Sequence, residues 1–160
     1  MLSASDLKLL ERVSDTEIRI MRWFSAPAAL VFKAWTEPEY LKRWWAPASR
    51  GVKVTLCEAD VRVGGRYRYV ITRSPEEEYA FSGEYQEIAA PSRLVYTQTF
   101  EAFPDASAVC TVEFREENGR TLLVSSEVYP SKEALDGAIC SGMEDGMRET
   151  FEQLESLLQR

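Results

Sequence analysis

Residues 131–160 have the sequence SKEALDGAICSGMEDGMRETFEQLESLLQR, and the predicted fold depends on this stretch. Its apolar residues recur every three or four positions, the spacing of one helical face: Leu135, Ile139, Met143, Met147, Phe151, Leu154 and Leu158. We therefore predict one long amphipathic helix over Ser131–Arg160, with Ser131 as its N-cap. Because its apolar face must be covered, we expect the preceding residues to form a surface that packs against it.

Three glycines, Gly137, Gly142 and Gly146, stand inside this predicted helix. Each glycine in a helix interior costs roughly 1 kcal/mol relative to alanine, so some feature of the fold should compensate. One interpretation is close packing against a strand, or a local bend. The other is that glycines and flexible methionines form the wall of a cavity. The sequence leaves both interpretations open.

Seven upstream segments are rich in β-branched and aromatic residues, and turn residues separate them. They comprise residues 16–24, 52–59, 66–72, 79–88, 93–101, 109–116 and 121–129. Asn118-Gly119 is the clearest hairpin turn between two of them. These features predict hairpin-joined strands that build an antiparallel sheet.

Two short helices are predicted between the first and second strands. Pro27 stands where the first helix begins, and Thr36 is the expected N-cap of the second, with Glu39 at the capping-box position. Trp44 and Trp45 lie on the predicted buried side of the second helix. The predicted fold class is therefore α+β, with a seven-stranded curved antiparallel sheet around a long C-terminal helix.

The length of 160 residues is typical of one domain with a substantial core. We expect that domain to span residues 15–160. Residues 1–14 form an N-terminal extension, for which the sequence favours either a short packed helix or an arm.

The composition excludes several classes of function. The net charge is −7 with both signs interleaved, so we expect no nucleic-acid partner. No run of eighteen apolar residues and no signal-peptide pattern is present, so we expect no membrane partner and a cytoplasmic location.

The chain contains no histidine, which excludes histidine-based nucleophile pairs and the usual zinc ligand sets. Cys57, Cys110 and Cys140 are widely spaced and form no CxxC motif, so we interpret them as reduced thiols. We therefore expect neither a metal site nor a cofactor. Any catalysis would rest on Asp, Glu, Lys, Tyr or Cys.

Five motifs in order resemble one known family. They are SAPAALVFKAWTEPEYLKRWWAP at 25–47, DVRVGGRY at 60–67, FSGEY at 81–85, PSRLVY at 91–96 and GMEDGM at 142–147. This pattern resembles the START-like (SRPBCC) superfamily, in the branch related to the activator of heat-shock-protein-90 ATPase. The resemblance implies a helix-grip fold, in which a curved sheet holds a long C-terminal helix and encloses a cavity.

The resemblance constrains function less than fold, because one fold supports many functions. Members of the superfamily include lipid and hormone binders, polyketide cyclases, an antibiotic-resistance protein and the co-chaperone that names this branch. Only about fifteen residues precede the first strand here, and this weakens the expectation of a chaperone-activating role.

The alternation of the strands and the helical face predict a set of inward side chains that would line a ligand pocket. The predicted ligand-binding residues are Tyr67, Tyr69, Phe81, Tyr85, Tyr96, Gln98, Ser125, Glu127, Met143, Met147 and Phe151. The alternative interpretation is that these aromatic and methionine side chains simply fill the core. Glu127 discriminates between the two, because it faces the pocket in one strand register and solvent in the other.

The sequence supports three hypotheses for function. The leading one is binding of a small, largely apolar or aromatic molecule between the sheet and the C-terminal helix. The first alternative is a cofactor-free enzyme of cyclase or hydrolase type that uses Glu127 and tyrosines as acid–base groups. The second is a co-chaperone-like protein-interaction module that works through the outer face of the sheet or through the two-helix segment around Trp44 and Trp45. Exposed aromatic residues near Trp44 would also permit a homodimer.

Overall fold

The structure is a computed structural model that describes residues 7–159. Predictions for residues 1–6 of the N-terminal extension and for Arg160 lie outside the described residues. The strands are β1 Leu10–Arg12, β2 Glu17–Phe24, β3 Lys53–Ala59, β4 Arg66–Ser74, β5 Glu77–Ala89, β6 Arg93–Phe100, β7 Ala108–Glu117 and β8 Arg120–Val128. The helices are α1 Ala28–Thr36, α2 Pro38–Trp44, α3 Lys132–Cys140 and α4 Met143–Leu158.

The strands form one antiparallel sheet in the order β1-β2-β8-β7-β6-β5-β4-β3. Irregular pairing interrupts three of its ladders, between Val54 and Leu56, Thr72 and Ser74, and Tyr85 and Glu87. Such bulges increase the local twist and bend the strands, which lets the sheet curve around the helices. The predicted α+β class and the curved antiparallel sheet are confirmed.

The structure contains one strand more than predicted. Residues 10–12 form neither the helix nor the arm expected of the N-terminal extension, because their backbone pairs with β2. Leu10 lies opposite Ile20, and the amide of Met21 donates a 3.0 Å hydrogen bond to the carbonyl of Leu9. This pairing covers the edge of β2 and places β1 at the margin of the sheet.

The long C-terminal helix of the prediction is α4, and the residues before it form the separate helix α3. Gly142 has a φ of 84°, in the left-handed region that favours glycine, so the helix is interrupted there. The N-cap of α3 is Ser131 as predicted, because its hydroxyl accepts a 3.1 Å hydrogen bond from the amide of Ala134. Gly142 therefore supplies the local bend that one interpretation of the glycines required.

Helices α1 and α2 follow β2 as predicted, although Thr36 does not cap α2. Its hydroxyl donates a 3.0 Å hydrogen bond to the carbonyl of Phe32, one turn earlier in α1. Because this bond occupies the Thr36 side chain, Glu37 is the N-cap of α2 and makes no side-chain cap bond.

The core lies between the inner face of the sheet and the helices, with α1, α2 and α4 contributing most of it and α3 contributing the buried Leu135. One cross-strand row crosses the middle of this face and contains Ile18, Glu127, Cys110, Tyr96 and Tyr85. Each member of the row comes from a different strand, so the register alone brings Glu127 and Tyr96 onto the same surface. Within residues 7–159, no helix is long and apolar enough to span a membrane.

Candidate functional site

A cavity of about 240 Å³ lies between the inner face of the sheet and helix α4. Strands, both early helices and α4 all contribute to its wall. The lining residues are Ile20, Trp35, Trp44, Trp45, Pro47, Ile71, Phe81, Tyr96, Gln98, Ser125, Glu127, Met143, Gly146, Met147, Thr150 and Phe151. The space that the prediction required between sheet and helix is therefore present.

The periodicity of each strand and helix explains which of its residues line the cavity. Ser125 and Glu127 are two residues apart on β8, and Tyr96 and Gln98 are two apart on β6, so each pair shares the inner face. Met143, Met147 and Phe151 follow one another at four-residue spacing along α4 and face the sheet. Met143 and Met147 remain partly accessible, because they border the cavity without filling it.

Eight of the eleven predicted ligand-binding residues lie together in this wall: Phe81, Tyr96, Gln98, Ser125, Glu127, Met143, Met147 and Phe151. The structure does not bring the other three, Tyr67, Tyr69 and Tyr85, to the cavity. They lie beside it, around a space of only about 10 Å³.

Tyr67, Tyr69 and Tyr85 pack against one another and so close off this end of the interior. The ring centroids of Tyr67 and Tyr69 are 4.8 Å apart, and those of Tyr67 and Tyr85 are 5.5 Å apart. The hydroxyl of Tyr67 donates a 2.6 Å hydrogen bond to the carbonyl of Thr97. The buried Tyr85 hydroxyl has no hydrogen-bond partner in the described part of the chain. These three side chains act as core aromatics in this arrangement.

Three tryptophans form the side of the cavity that the prediction missed. Trp35 from α1 packs on Trp44 from α2, with ring centroids 4.8 Å apart, and on Phe151 from α4 at 5.7 Å. Trp45 lies 5.0 Å from Phe81, also between ring centroids. Helical spacing identified Trp44 and Trp45 as buried, but only the packing of α1 and α2 on the sheet shows that they meet the strand residues.

Two side chains of α4, Glu149 and Gln153, fix the segment after α2, and Glu149 accepts a 2.8 Å hydrogen bond from the amide of Ser49. Gln153 accepts a 2.9 Å hydrogen bond from the amide of Ala48 through its Oε1 atom. Its Nε2 atom donates to the carbonyls of Trp44 and Ala46, at 3.1 and 2.8 Å. This clamp holds the turn that carries Trp45 and Pro47, two residues of the cavity wall.

Gly146 favours the second interpretation of the helical glycines. A Cβ atom at this position would meet no atom within 4 Å, so Gly146 is not required for close packing. It lines the cavity between Met143 and Met147 instead. A larger side chain there would enter the open space.

Glu127 is 8% exposed and lies in the cavity wall. Its Oε1 atom accepts a 2.9 Å hydrogen bond from the hydroxyl of Tyr129. Burial raises the pKa of Glu127 above its ordinary value, because the charged form loses hydration, and the Tyr129 bond offsets part of this effect. The register of β8 thus gives Glu127 the inward position that the pocket hypothesis required.

Two further polar side chains of the wall have unused hydrogen-bonding capacity. Neither the Gln98 amide nor the Ser125 hydroxyl forms a hydrogen bond with another group between residues 7 and 159. Thr150 differs, because its hydroxyl donates to the carbonyl of Met147 at 3.1 Å. Gln98, Ser125 and Glu127 therefore present polar groups to an otherwise apolar space, as in small-molecule sites.

A second depression, of about 310 Å³, lies beside the N-terminal edge of the sheet. Leu9, Arg22, Trp23, Arg148 and Glu152 are among the residues that line it. It is located away from the enclosed face of the sheet and contains none of the predicted site residues. We therefore assign the candidate site to the cavity under α4.

A family model described as Activator of Hsp90 ATPase homolog 1-like protein matches residues 25–159. No curated protein sequence matches the chain. Among solved structures, a protein from Rhodobacter sphaeroides is similar at 25% identity with a TM-score of 0.86, covering 94% of this chain and 97% of that one. A protein from Staphylococcus epidermidis is 30% identical with a TM-score of 0.80, covering 95% and 94%.

A more distant likeness is to a structure described as an HSP90 activator from Plasmodium falciparum. That protein is 26% identical with a TM-score of 0.56, and the match covers 71% of this chain and 72% of that chain. The similarity therefore extends over most of both chains, with lower structural agreement than for the two bacterial proteins.

Proposed function

The chain belongs to the family of Activator of Hsp90 ATPase homolog 1-like proteins, and from this premise we propose that it binds a small, largely apolar or aromatic molecule in the cavity under α4. The open volume of about 240 Å³ between sheet and helix is the observation that carries the proposal. The space opens to solvent beside flexible methionines, so a molecule that enters it would replace water against a largely apolar wall.

The size and chemistry of the wall define the class of molecule. A cavity of about 150 Å³ accommodates benzene, so one of 240 Å³ suits a molecule of one or two rings. Tryptophan, tyrosine and phenylalanine rings offer it flat apolar surfaces, whereas Gln98, Ser125 and Glu127 offer hydrogen bonds that would fix its orientation.

Native mass spectrometry of the purified protein, combined with ligand-observed NMR, tests this proposal. We expect either a co-purifying small molecule or binding of neutral aromatic probes such as indole and 2-phenylethanol. Gly146→Leu should block binding, because its side chain would extend into the cavity. Gly137→Leu is the matched control, since Gly137 also has open space at its Cβ position but is exposed on α3.

The proposal fails if no molecule co-purifies and neither probe binds. It also fails if Gly146→Leu and Gly137→Leu bind the probes equally well, because binding would then occur outside the cavity. Circular dichroism of both variants verifies that they are folded.

The raised pKa of Glu127 favours a second candidate function, acid–base catalysis without a cofactor. A carboxyl whose pKa is raised holds its proton to a higher pH than an ordinary glutamate, which suits it to donate that proton to a substrate in the cavity. Burial also raises the pKa of Tyr96, so its hydroxyl would act as a neutral donor. A turnover that Glu127→Gln abolishes would support this function, and a turnover that it leaves unchanged would exclude the assigned role.

The likeness to the Plasmodium falciparum HSP90 activator favours a third candidate, contact with a chaperone. Trp44 itself would not be part of the surface for such a contact or for a homodimer. Trp44 is only 2% exposed, because it packs between Trp35 and Phe151 and donates its indole hydrogen to the carbonyl of Ala34. A chaperone recovered equally by the wild type and by Gly146→Leu would support an interaction that does not depend on the cavity.

A further inference from the structure

The wall of the cavity contains one acidic side chain and no basic side chain among the described residues. Glu127 is the only acidic or basic side chain among the described residues that line it. No lysine or arginine of residues 7–159 borders the cavity to neutralise that carboxyl group. A carboxylate in such a position has lost much of its hydration and has gained no positive partner.

The hydrogen bonds of Glu127 are incomplete. Tyr129 satisfies Oε1, whereas Oε2 has no hydrogen-bond partner in the described part of the chain. The cross-strand neighbours of Glu127 are Ile18 on β2 and Cys110 on β7, and neither supplies a positive charge. Oε2 is not among the fully buried unpaired atoms of the described residues, so it retains access to the cavity and has capacity for a donor there.

The rest of the wall also favours a positive charge. Six aromatic side chains surround the cavity: Trp35, Trp44, Trp45, Phe81, Tyr96 and Phe151. The faces of aromatic rings carry partial negative charge and attract cations, with tryptophan the most effective. An aromatic enclosure with one carboxylate is the arrangement that recognises organic ammonium groups.

We infer, on the basis of the small-molecule binding proposed above, that the occupant is an aromatic amine of one or two rings whose ammonium group is held by Oε2 of Glu127. The ammonium would donate to Oε2 and neutralise the buried carboxylate, while the ring would contact the tryptophans. A neutral alcohol would fill the same volume and would form a hydrogen bond, but it would leave the carboxylate without a counter-charge.

The inference predicts a coupling between binding and proton release. Burial raises the pKa of each titratable group near Glu127, namely Tyr67 on β4, Tyr96 on β6, Cys110 on β7 and Tyr129 after β8. These groups therefore stay neutral from pH 5 to pH 8. The α4 residues in the wall, Met143, Gly146, Met147, Thr150 and Phe151, carry no charge, and neither does Ile18 on β2. Glu127 is therefore the group of the wall whose ionisation an amine would sense, and an amine should bind more tightly as rising pH removes the proton from its carboxyl group.

Calorimetry with 2-phenylethylamine and 2-phenylethanol at pH 7.5 tests the inference, because the two probes share ring and chain length. We expect the amine to bind the wild type at least about tenfold more tightly, a difference of about 1.4 kcal/mol. Glu127→Gln should remove this preference, so that the amine and the alcohol bind with affinities within about twofold of each other. Glu58→Gln is the matched control, because it removes the same charge from an exposed site on β3 and should preserve the preference.

The experiment distinguishes failure of this inference from failure of the proposed function. If both probes bind the wild type equally, the inference is wrong while the proposed function stands. If neither probe binds, the proposed function is wrong as well. A preference for the amine over the alcohol that Glu127→Gln leaves unchanged would contradict the role of Glu127.

Discussion

The Nε2 atom of Gln153, on helix α4, donates a 2.8 Å hydrogen bond to the carbonyl of Ala46, in the turn after helix α2. With its bonds to Ala48 and Trp44, Gln153 makes three hydrogen bonds to the segment that runs from the end of α2 to a short 3-10 turn at Ala48–Arg50. An intramolecular hydrogen bond contributes about 1 kcal/mol net, and partial access of water reduces that value. We expect Gln153→Ala to lower the free energy of unfolding by about 2 kcal/mol.

Urea denaturation measures this loss, and hydrogen exchange at the amide of Ala48 locates it. Glu152→Ala, one position earlier on the exposed side of α4, is the control and should change stability by less than about 0.5 kcal/mol. Equal stability of the two variants would show that Gln153 does not hold the turn.

The burial of Glu127 predicts a pH dependence of stability. Its folded-state pKa is raised, so the folded protein binds the proton more tightly than the unfolded chain does. Protonation of Glu127 therefore contributes to the free energy of unfolding. This contribution is fully present below the unfolded pKa of about 4.3, and it is lost as the pH rises through the folded pKa. Glutamine resembles the protonated form at every pH.

We therefore expect Glu127→Gln to be nearly neutral at pH 4.5 and to stabilise the protein relative to wild type at pH 8. Urea unfolding at the two pH values measures the difference. Glu58→Gln, at an exposed position, should show no such change between the two pH values. A Glu127→Gln variant that is less stable than wild type at pH 8 would mean that the carboxylate is stabilised in the fold.

Residue patterns predicted most of the sheet, because strand alternation depends on local sequence. The inner positions of β6 and β8 could be assigned from a period of two, and this placed Gln98, Ser125 and Glu127 on the correct face. The interruption at Gly142 could not be predicted in the same way. The apolar residues Ile139, Met143 and Met147 keep four-residue spacing across it, so the periodicity continues where the helix does not.

The cavity was less predictable than the sheet, because its limits depend on volumes and on contacts between distant residues. Tyr67 and Tyr69 satisfy the inward pattern, yet they fill their own end of the interior. Trp35 and Trp45 enter the wall only because α1 and α2 fold over the sheet. No local pattern distinguishes an aromatic side chain that fills a core from one that borders an open space.

The open space at Gly146 predicts a stabilising substitution. Gly146 lies within α4, and an alanine Cβ there would contact nothing within 4 Å. We expect Gly146→Ala to increase the free energy of unfolding by about 0.5–1 kcal/mol, because alanine loses less conformational entropy in a helix. Gly83→Ala is the opposite case, since its Cβ would lie within 2 Å of the Thr97 carbonyl oxygen on the neighbouring strand. Thermal unfolding compares the two, and destabilisation by Gly146→Ala would show that α4 requires glycine there.

The carboxylate of Glu116, near the end of β7, accepts a 2.8 Å hydrogen bond from the amide of Ala28, 88 residues earlier at the start of α1. Pro27 is the N-cap of this helix and has no side-chain acceptor, and the first turn contains no acidic residue. Glu116 thus caps α1 from a distant strand and places a negative charge at the positive end of the helix dipole.

We expect Glu116→Val, which keeps a strand-forming residue, to lower the free energy of unfolding by about 1 kcal/mol, the usual value of a helix cap. Glu116→Gln should lower the free energy of unfolding by less than half as much. Its amide oxygen still accepts the hydrogen bond from Ala28, and only the charge is absent. Glu117→Val and Glu117→Gln are the matched controls at the adjacent exposed residue. The charge-dependent part should weaken in 1 M salt, where the screening length falls to about 3 Å. Urea unfolding at both salt concentrations measures these losses, and equal effects at positions 116 and 117 would contradict the capping role.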